Sequence, residues 1–179
     1  MQTKRLVIRN FEIGDAKKCF VNFGQDKSLG VYLPFFPMQE ISEMDKLITS
    51  FAENPNIWLV EEKYSGEPIG YISIEVPYDV LAIGELGYVL GEKYQHKGYA
   101  LEAVEAIISY LFSEKKLYMI EAKYNERNTA SGRLLSKLGF KVDGILRDRR
   151  IDKVTGERCN LIVCSITERE RMQYANKKQ

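Results

Sequence analysis

The stretch AIGELGYVLGEKYQHKGYALEAVEAIISYLFSEKKLYMIEAKY, residues 82–124, limits the possible folds more than any other part of the chain. It opens as a strand-like run, AIGELGYVL, and passes through a polar, glycine-containing loop. It then turns helical: Ala100, Leu101, Val104, Ile107, Ile108 and Leu111 share one apolar face, with Glu102, Glu105 and Ser109 on the polar side. LYMIEAKY follows with strand character. A strand, a helix of about fifteen residues and a second strand form the unit that lays two strands parallel in one sheet.

The flanking segments predict a mixed architecture. KRLVIRNF reads as a first strand, followed by a helix from Asp15 to about Phe23 and another from about Ile41 to Ala52, with the loop SLGVYLPFFPM between them. NIWLVEE and PIGYISIEV form a hairpin through YSGE, and AIGELGYVL completes an antiparallel meander. Beyond the crossover, a helix from Asn128 to Leu138 stops at Gly139, and strands at about Val142–Arg150 and Cys159–Thr167 close through DKVTGE. The expected class is α+β (mixed α/β): a central, mostly antiparallel sheet with one parallel βαβ crossover and flanking helices. No repeat or long linker divides the 179 residues, so residues 1–179 are expected to form one domain.

Several function classes are disfavoured. Lys plus Arg number 26 against 25 Asp plus Glu, so no electrostatic footprint points to nucleic acid or an anionic membrane. MQTKRLVIRNF lacks the apolar core of a signal peptide, and no apolar run approaches the ~20 residues that span a bilayer, so a cytoplasmic location is expected. Cys19, Cys159 and Cys164 form no C-x-x-C pair, so no disulfide framework is expected. His96, the single histidine, has no Cys or His at ligand spacing, so no metal is expected and His96 reads as a solvated loop residue. GELGYVLG is not G-x-G-x-x-G, and no P-loop is present.

What remains is QHKGYA, Gln95 to Ala100, directly after a strand and directly before a helix that lacks a Ser, Thr, Asp or Asn cap. A helix start leaves about four backbone NH groups unpaired, and together with the helix dipole they suit a phosphate. Ordinary turn geometry is the plain alternative. QHKGYA and the helix after it resemble the Q/R-x-x-G-x-G/A motif of the GNAT superfamily of N-acetyltransferases. The likeness continues through NERNTASGRLLSKLGFKVDGILR and LIVCSIT, and within the superfamily it is greatest to the ribosomal-protein N-terminal acetyltransferases. The resemblance implies that acetyl-CoA is the acetyl donor. It places the amides of His96, Lys97, Gly98, Tyr99 and Ala100 around the pyrophosphate, with Gln95 bounding the loop. Lys93 and Lys97 either add charge there or are solvated.

Glu85 lies on a strand whose two faces are both apolar, Leu86, Tyr88 and Leu90 on one and Ile83 and Val89 on the other, as in a central strand. A carboxylate desolvated there would rise above its ordinary ~4.3 and suit a general base near neutrality. An exposed strand end or an ion pair is the alternative. The resemblance, through the branch's E-I-G-Y pattern, implies the base role. Gly87 marks an irregularity in this strand. By resemblance it frees backbone groups near Val89 and Leu90 for the pantetheine arm and the thioester carbonyl.

Asn128 is a good helix N-cap, and by resemblance it contacts the cofactor while Ser131 lies near the thiol and donates a proton to the leaving thiolate. Position 135, where many relatives carry a Tyr acid, is Leu135, which leaves Ser131 or solvent for that step. The aromatic loop carrying Tyr32, Phe35 and Phe36 either packs on the core or, by resemblance, roofs the acceptor site, with the hairpin around Arg147 and Arg149 as another wall. The expected activity is acetyl-CoA-dependent transfer to a primary amine, a peptide or protein N-terminus favoured, by direct transfer in a ternary complex within a monomer or homodimer. A small-molecule acetyltransferase and a non-catalytic CoA-binding regulator are the alternatives.

Overall fold

The computed structural model describes residues 1–33, 36–152 and 155–176, with residues 78, 79, 175 and 176 as backbone alone. The strands are β1 (Leu6–Asn10), β2 (Ile57–Glu62), β3 (Glu67–Tyr78), β4 (Ile83–Leu90), β5 (Met119–Asn125), β6 (Lys141–Ile151) and β7 (Arg158–Thr167). The helices are α1 (Ala16–Cys19), α2 (Lys27–Gly30), α3 (Ile41–Ala52), α4 (Tyr99–Ser113), α5 (Thr129–Lys137) and α6 (Glu168–Asn176).

The strands form one sheet in the order β1-β2-β3-β4-β5-β7-β6. β4 and β5 run parallel, Ile83 opposite Met119 through Leu86 opposite Ala122, so α4 is the expected crossover helix. Antiparallel ladders join β1 to β2, β2 to β3, β5 to β7 and β6 to β7. The mixed class read from the sequence is the class observed. Among the described residues, no helix is long and apolar enough to cross a membrane.

The chain groups into two compact units, Met1–Ser73 with Tyr88–Val104, and Ile74–Gly87 with Glu105–Gln179. In the first, the core gathers Phe11, Phe23, Met44, Ile48, Leu59, Tyr71 and Val89. Its aromatic rings meet edge-on or tilted, Phe11 to Phe51 at 5.3 Å and Phe51 to Tyr71 at 5.1 Å between centroids, an arrangement that suits ring quadrupoles. In the second, Ile107, Ile108, Ile120, Ala122, Leu135 and Ile166 are buried. A Cβ at Gly84 would come within 2.7 to 2.9 Å of side-chain atoms of Ile74 and Leu117, so an added methyl would force those side chains to shift.

Three local differences from the sequence reading have physical causes. The first helix is irregular: a 3-10 turn, Ile13–Asp15, leads into α1 and then a π turn, Phe20–Gly24, where the Gln25 N–H reaches back to Phe20 O at 3.3 Å. Just before the expected loop, Asp26 accepts from the Ser28 N–H at 2.9 Å and so caps the short α2, which runs into it. The terminal helix α6 was not expected, although TERE is a capping box: Glu170 N–H donates to Thr167 Oγ1 at 3.3 Å and Thr167 N–H to Glu170 Oε2 at 3.0 Å.

Candidate active site

The loop before α4 is shaped by two left-handed residues, His96 at φ +59° and Gly98 at φ +80°. Gly adopts that conformation freely, whereas His does so at a cost of about 1–2 kcal/mol that its surroundings must offset. Gln95 Nε2 donates to Leu90 O at 3.0 Å and ties the loop to the end of β4. The first bond into α4 is Glu102 N–H to Gly98 O at 3.2 Å, so the amides of Tyr99, Ala100 and Leu101 precede the helical ladder. His96, Lys97 and Gly98 are exposed, as a loop that receives a ligand requires. The ammonium of Lys93 is directed elsewhere, onto Asn22 Oδ1 at 2.6 Å and over the Tyr94 ring at 4.9 Å.

Sequence reasoning missed the residues that hold this loop. Arg5 donates from Nη1 to Lys97 O at 2.8 Å and from Nε to Glu102 Oε2 at 2.7 Å. Burial alone would raise the Glu102 carboxyl, but hydrogen bonds from Thr3 and Arg5 and the Arg5 charge hold it below the usual range.

In β4 the parallel ladder ends at Leu86, one residue before Gly87, where the sequence places an irregularity. Val89 is buried. On the next strand, a Cβ at Gly70 would lie 2.1 Å from Val89 O and 3.0 Å from Leu90 Cα. Only Gly permits β3 to approach Val89 and Leu90 so closely. That requirement spans two strands and leaves no local signal.

Glu85 lies in a central strand as expected, but its expected burial is not found. The side chain is 36% exposed and its Oε2 is paired with Lys123 Nζ at 2.5 Å. The ion pair named as the alternative is what forms. Lys123 comes from β5, where Glu121 stands directly opposite Glu85 in the ladder. Alternation along β5 carries Glu121 and Lys123 to the same face, so two carboxylates and one ammonium share a patch of sheet.

Asn128 is the N-cap of α5, its side chain accepting from the Ser131 N–H at 3.1 Å. A capped start leaves Asn128 and Ser131 half-buried on the first turn, and Leu135 is buried at 2% exposure. Beside them Tyr124 packs its ring where a Cβ on Gly132 would sit 3.0 Å away, and burial together with Cys164 pushes its phenol up.

In the aromatic loop, Phe36 is buried in the core of its unit, 6.4 Å from the Phe23 ring, while Tyr32 is exposed. Phe35 lies outside the described residues. A cavity of about 490 Å³ is lined by Phe36, Pro37, Met38, Glu43, Lys46, Leu47 and Ser50. Arg147 and Arg149 are exposed on β6.

The loop between β4 and α4 thus presents helix-start amides of the kind that suit a phosphate. The family model described as an acetyltransferase (GNAT) domain matches residues 5–141. An uncharacterized N-acetyltransferase, p20, of Bacillus licheniformis is 30% identical over 175 residues, covering 95% of this chain and 97% of that protein. The ribosomal protein uS5-alanine N-acetyltransferase of Escherichia coli (strain K12) is 41% identical over 63 residues, 35% of this chain and 32% of that one. The crystal structure of spermidine N-acetyltransferase from Vibrio cholerae, in complex with CoA and spermine, superposes with a TM-score of 0.81 at 18% identity, covering 95% of this chain and 99% of that one. The chain belongs to the GNAT acetyltransferases and is an acyltransferase of the N-acetyltransferase type.

Proposed function

We propose that residues 1–179 act as a single cytoplasmic N-acetyltransferase domain that moves the acetyl group of acetyl-CoA directly to a primary amine, favouring a peptide or protein N-terminus. The observation that carries this is the loop 95–100: two left-handed residues, an exposed Gly98 and uncommitted amides at the start of α4 fit a pyrophosphate. In this reading the amides of His96 to Ala100 bind the donor's phosphates, and Gln95 keeps the loop at the end of β4. Backbone groups of Val89 and Leu90, together with the Asn128 side chain, hold the rest of the donor. Glu85 takes the amine proton through water, and Ser131 donates to the leaving thiolate. The exposed Tyr32 borders the acceptor.

The choice of acceptor rests on proton chemistry. Near pH 7 an α-amine of pKa ~7.8 is neutral in roughly a tenth of molecules, and a lysine-like amine of ~10.4 in fewer than about one in a thousand. An α-amine therefore asks less of a general base than a lysine-like amine does. The matching segment of the uS5-alanine enzyme supports the same choice. A small-molecule amine is the second reading, favoured by the fold likeness to the spermidine enzyme.

The test is release of CoA thiol from acetyl-CoA with an Ala-initiated peptide, spermidine and an aminoglycoside. The peptide is expected to give the highest kcat/KM. Preference for spermidine would replace the acceptor while keeping the chemistry, and no thiol release with any primary amine would reject the reading.

A further inference from the structure

We propose that Arg5 is the positioning residue of the donor loop, setting the direction of its amides from the edge of the sheet; this rests on the pyrophosphate reading of residues 95–100. Arg5 lies one residue before β1, and its guanidinium reaches the loop from outside. Nη1 donates to Lys97 O at 2.8 Å, Nε donates to Glu102 Oε2 at 2.7 Å, and the guanidinium carbon lies 4.4 Å from the centroid of the Tyr99 ring. Nη2 would be 3.3 Å from a Cβ built on Gly98.

The contact with Lys97 O carries the consequence. A peptide unit is planar and trans, so its C=O and N–H point in opposite directions. Lys97 C=O and Gly98 N–H belong to one such unit. Fixing the carbonyl on Arg5 therefore turns the Gly98 amide away from Arg5. The pinned unit lies between the left-handed residues His96 and Gly98, where a loop of this kind otherwise has freedom to flip.

Arg5 is itself anchored. Glu102 on the first turn of α4 accepts at Oε2 from Arg5 Nε, and at Oε1 from the Arg5 backbone N–H at 2.8 Å and from Thr3 Oγ1 at 2.6 Å. One carboxylate thus fastens the strand end, the guanidinium and the helix start. A planar fork is needed to meet Lys97 O and Glu102 together while stacking on Tyr99, and lysine offers only a point charge.

The experiment compares Arg5→Ala, Arg5→Lys and Glu102→Gln in the full chain by hydrogen exchange of the ligand-free protein and by calorimetry with acetyl-CoA. In Arg5→Ala, the Gln95 and Glu102 amides, which donate to Glu92 O and Gly98 O at the two ends of the loop, should exchange about ten-fold faster or more while β5 and β7 keep their protection, and the acetyl-CoA Kd should rise about ten- to hundred-fold. Arg5→Lys should not restore either. Glu102→Gln, which keeps the size of the side chain, should shift both readouts in the same direction by a smaller factor, and it decides the matter if Arg5→Ala does not fold. Unchanged loop exchange, an unchanged Kd, or faster exchange throughout the protein would overturn the positioning role. Wild-type protein that fails to bind acetyl-CoA would instead reject the pyrophosphate reading, an outcome seen without any variant.

Discussion

Lys123 Nζ and Glu85 Oε2 meet at 2.5 Å across the parallel strands β4 and β5, and both side chains are about one-third exposed. A pair so open to water contributes about 0–1 kcal/mol to stability, so its interest is chemical. Glu85→Gln keeps the shape of the side chain but cannot accept a proton. At pH 7, kcat should fall about 100- to 10,000-fold while acetyl-CoA affinity and the melting temperature barely move. Activity should return as pH rises towards the acceptor's own pKa, since a neutral amine needs no base. Near wild-type turnover at pH 7 in a thiol-release assay would make the carboxylate structural.

Gly98→Asp introduces a side chain at φ +80° and a negative charge where a pyrophosphate is to bind. The conformational cost is about 1 kcal/mol, too little to unfold the domain. Calorimetry should show acetyl-CoA binding lost with the fold retained. A folded variant with wild-type affinity would remove this loop from the donor site.

Gly70→Ala tests the close approach of β3 to Val89. The added methyl would sit 2.1 Å from a backbone carbonyl, so the strands must move apart. Urea denaturation should show a loss of about 1–3 kcal/mol, and acetyl-CoA affinity should fall as Val89 and Leu90 shift. Full stability would mean that the backbone accommodates the methyl elsewhere.

At the start of α6, Glu170 is held down to about 2 by the hydrogen bond from Lys141 and the backbone N–H of Thr167. A carboxyl depressed on folding stabilises the protein above its ordinary titration range, and that contribution is lost as pH falls from about 4.5 towards about 2. Glu170→Gln should therefore be less stable than wild type at pH 7. The gap between their urea midpoints should narrow through that window and close near pH 2. A gap that stays constant with pH would show that the ion pair does not hold the titration.

Patterns carried along a single segment were legible in the sequence, and contacts between segments were not. The helix predicted from about Ile41 to Ala52 is α3 as observed, because its apolar spacing is internal to twelve residues. The parallel crossover was readable for the same reason. The exposure of Glu85 was misjudged because alternation reports neighbours along β4 and says nothing of Lys123 on β5. Arg5 and Glu102 are 97 residues apart, so no local signal joins them. The helix α6 was different: its Thr-x-x-Glu box was present, but the polar run after it lacks an apolar face.

The three cysteines are free, and Cys19, Cys159 and Cys164 are each no more than 2% exposed. Burial pushes the Cys164 thiol up to about 12 and raises Cys19 as well, so neither forms thiolate near neutrality. A chromogenic disulfide added to the folded protein therefore colours only with the CoA that turnover sets free. The same reagent, in denaturant, counts three thiols per chain as the interior opens. One absorbance reading can thus follow catalysis in native buffer and the loss of native structure in urea, without a label or an engineered probe.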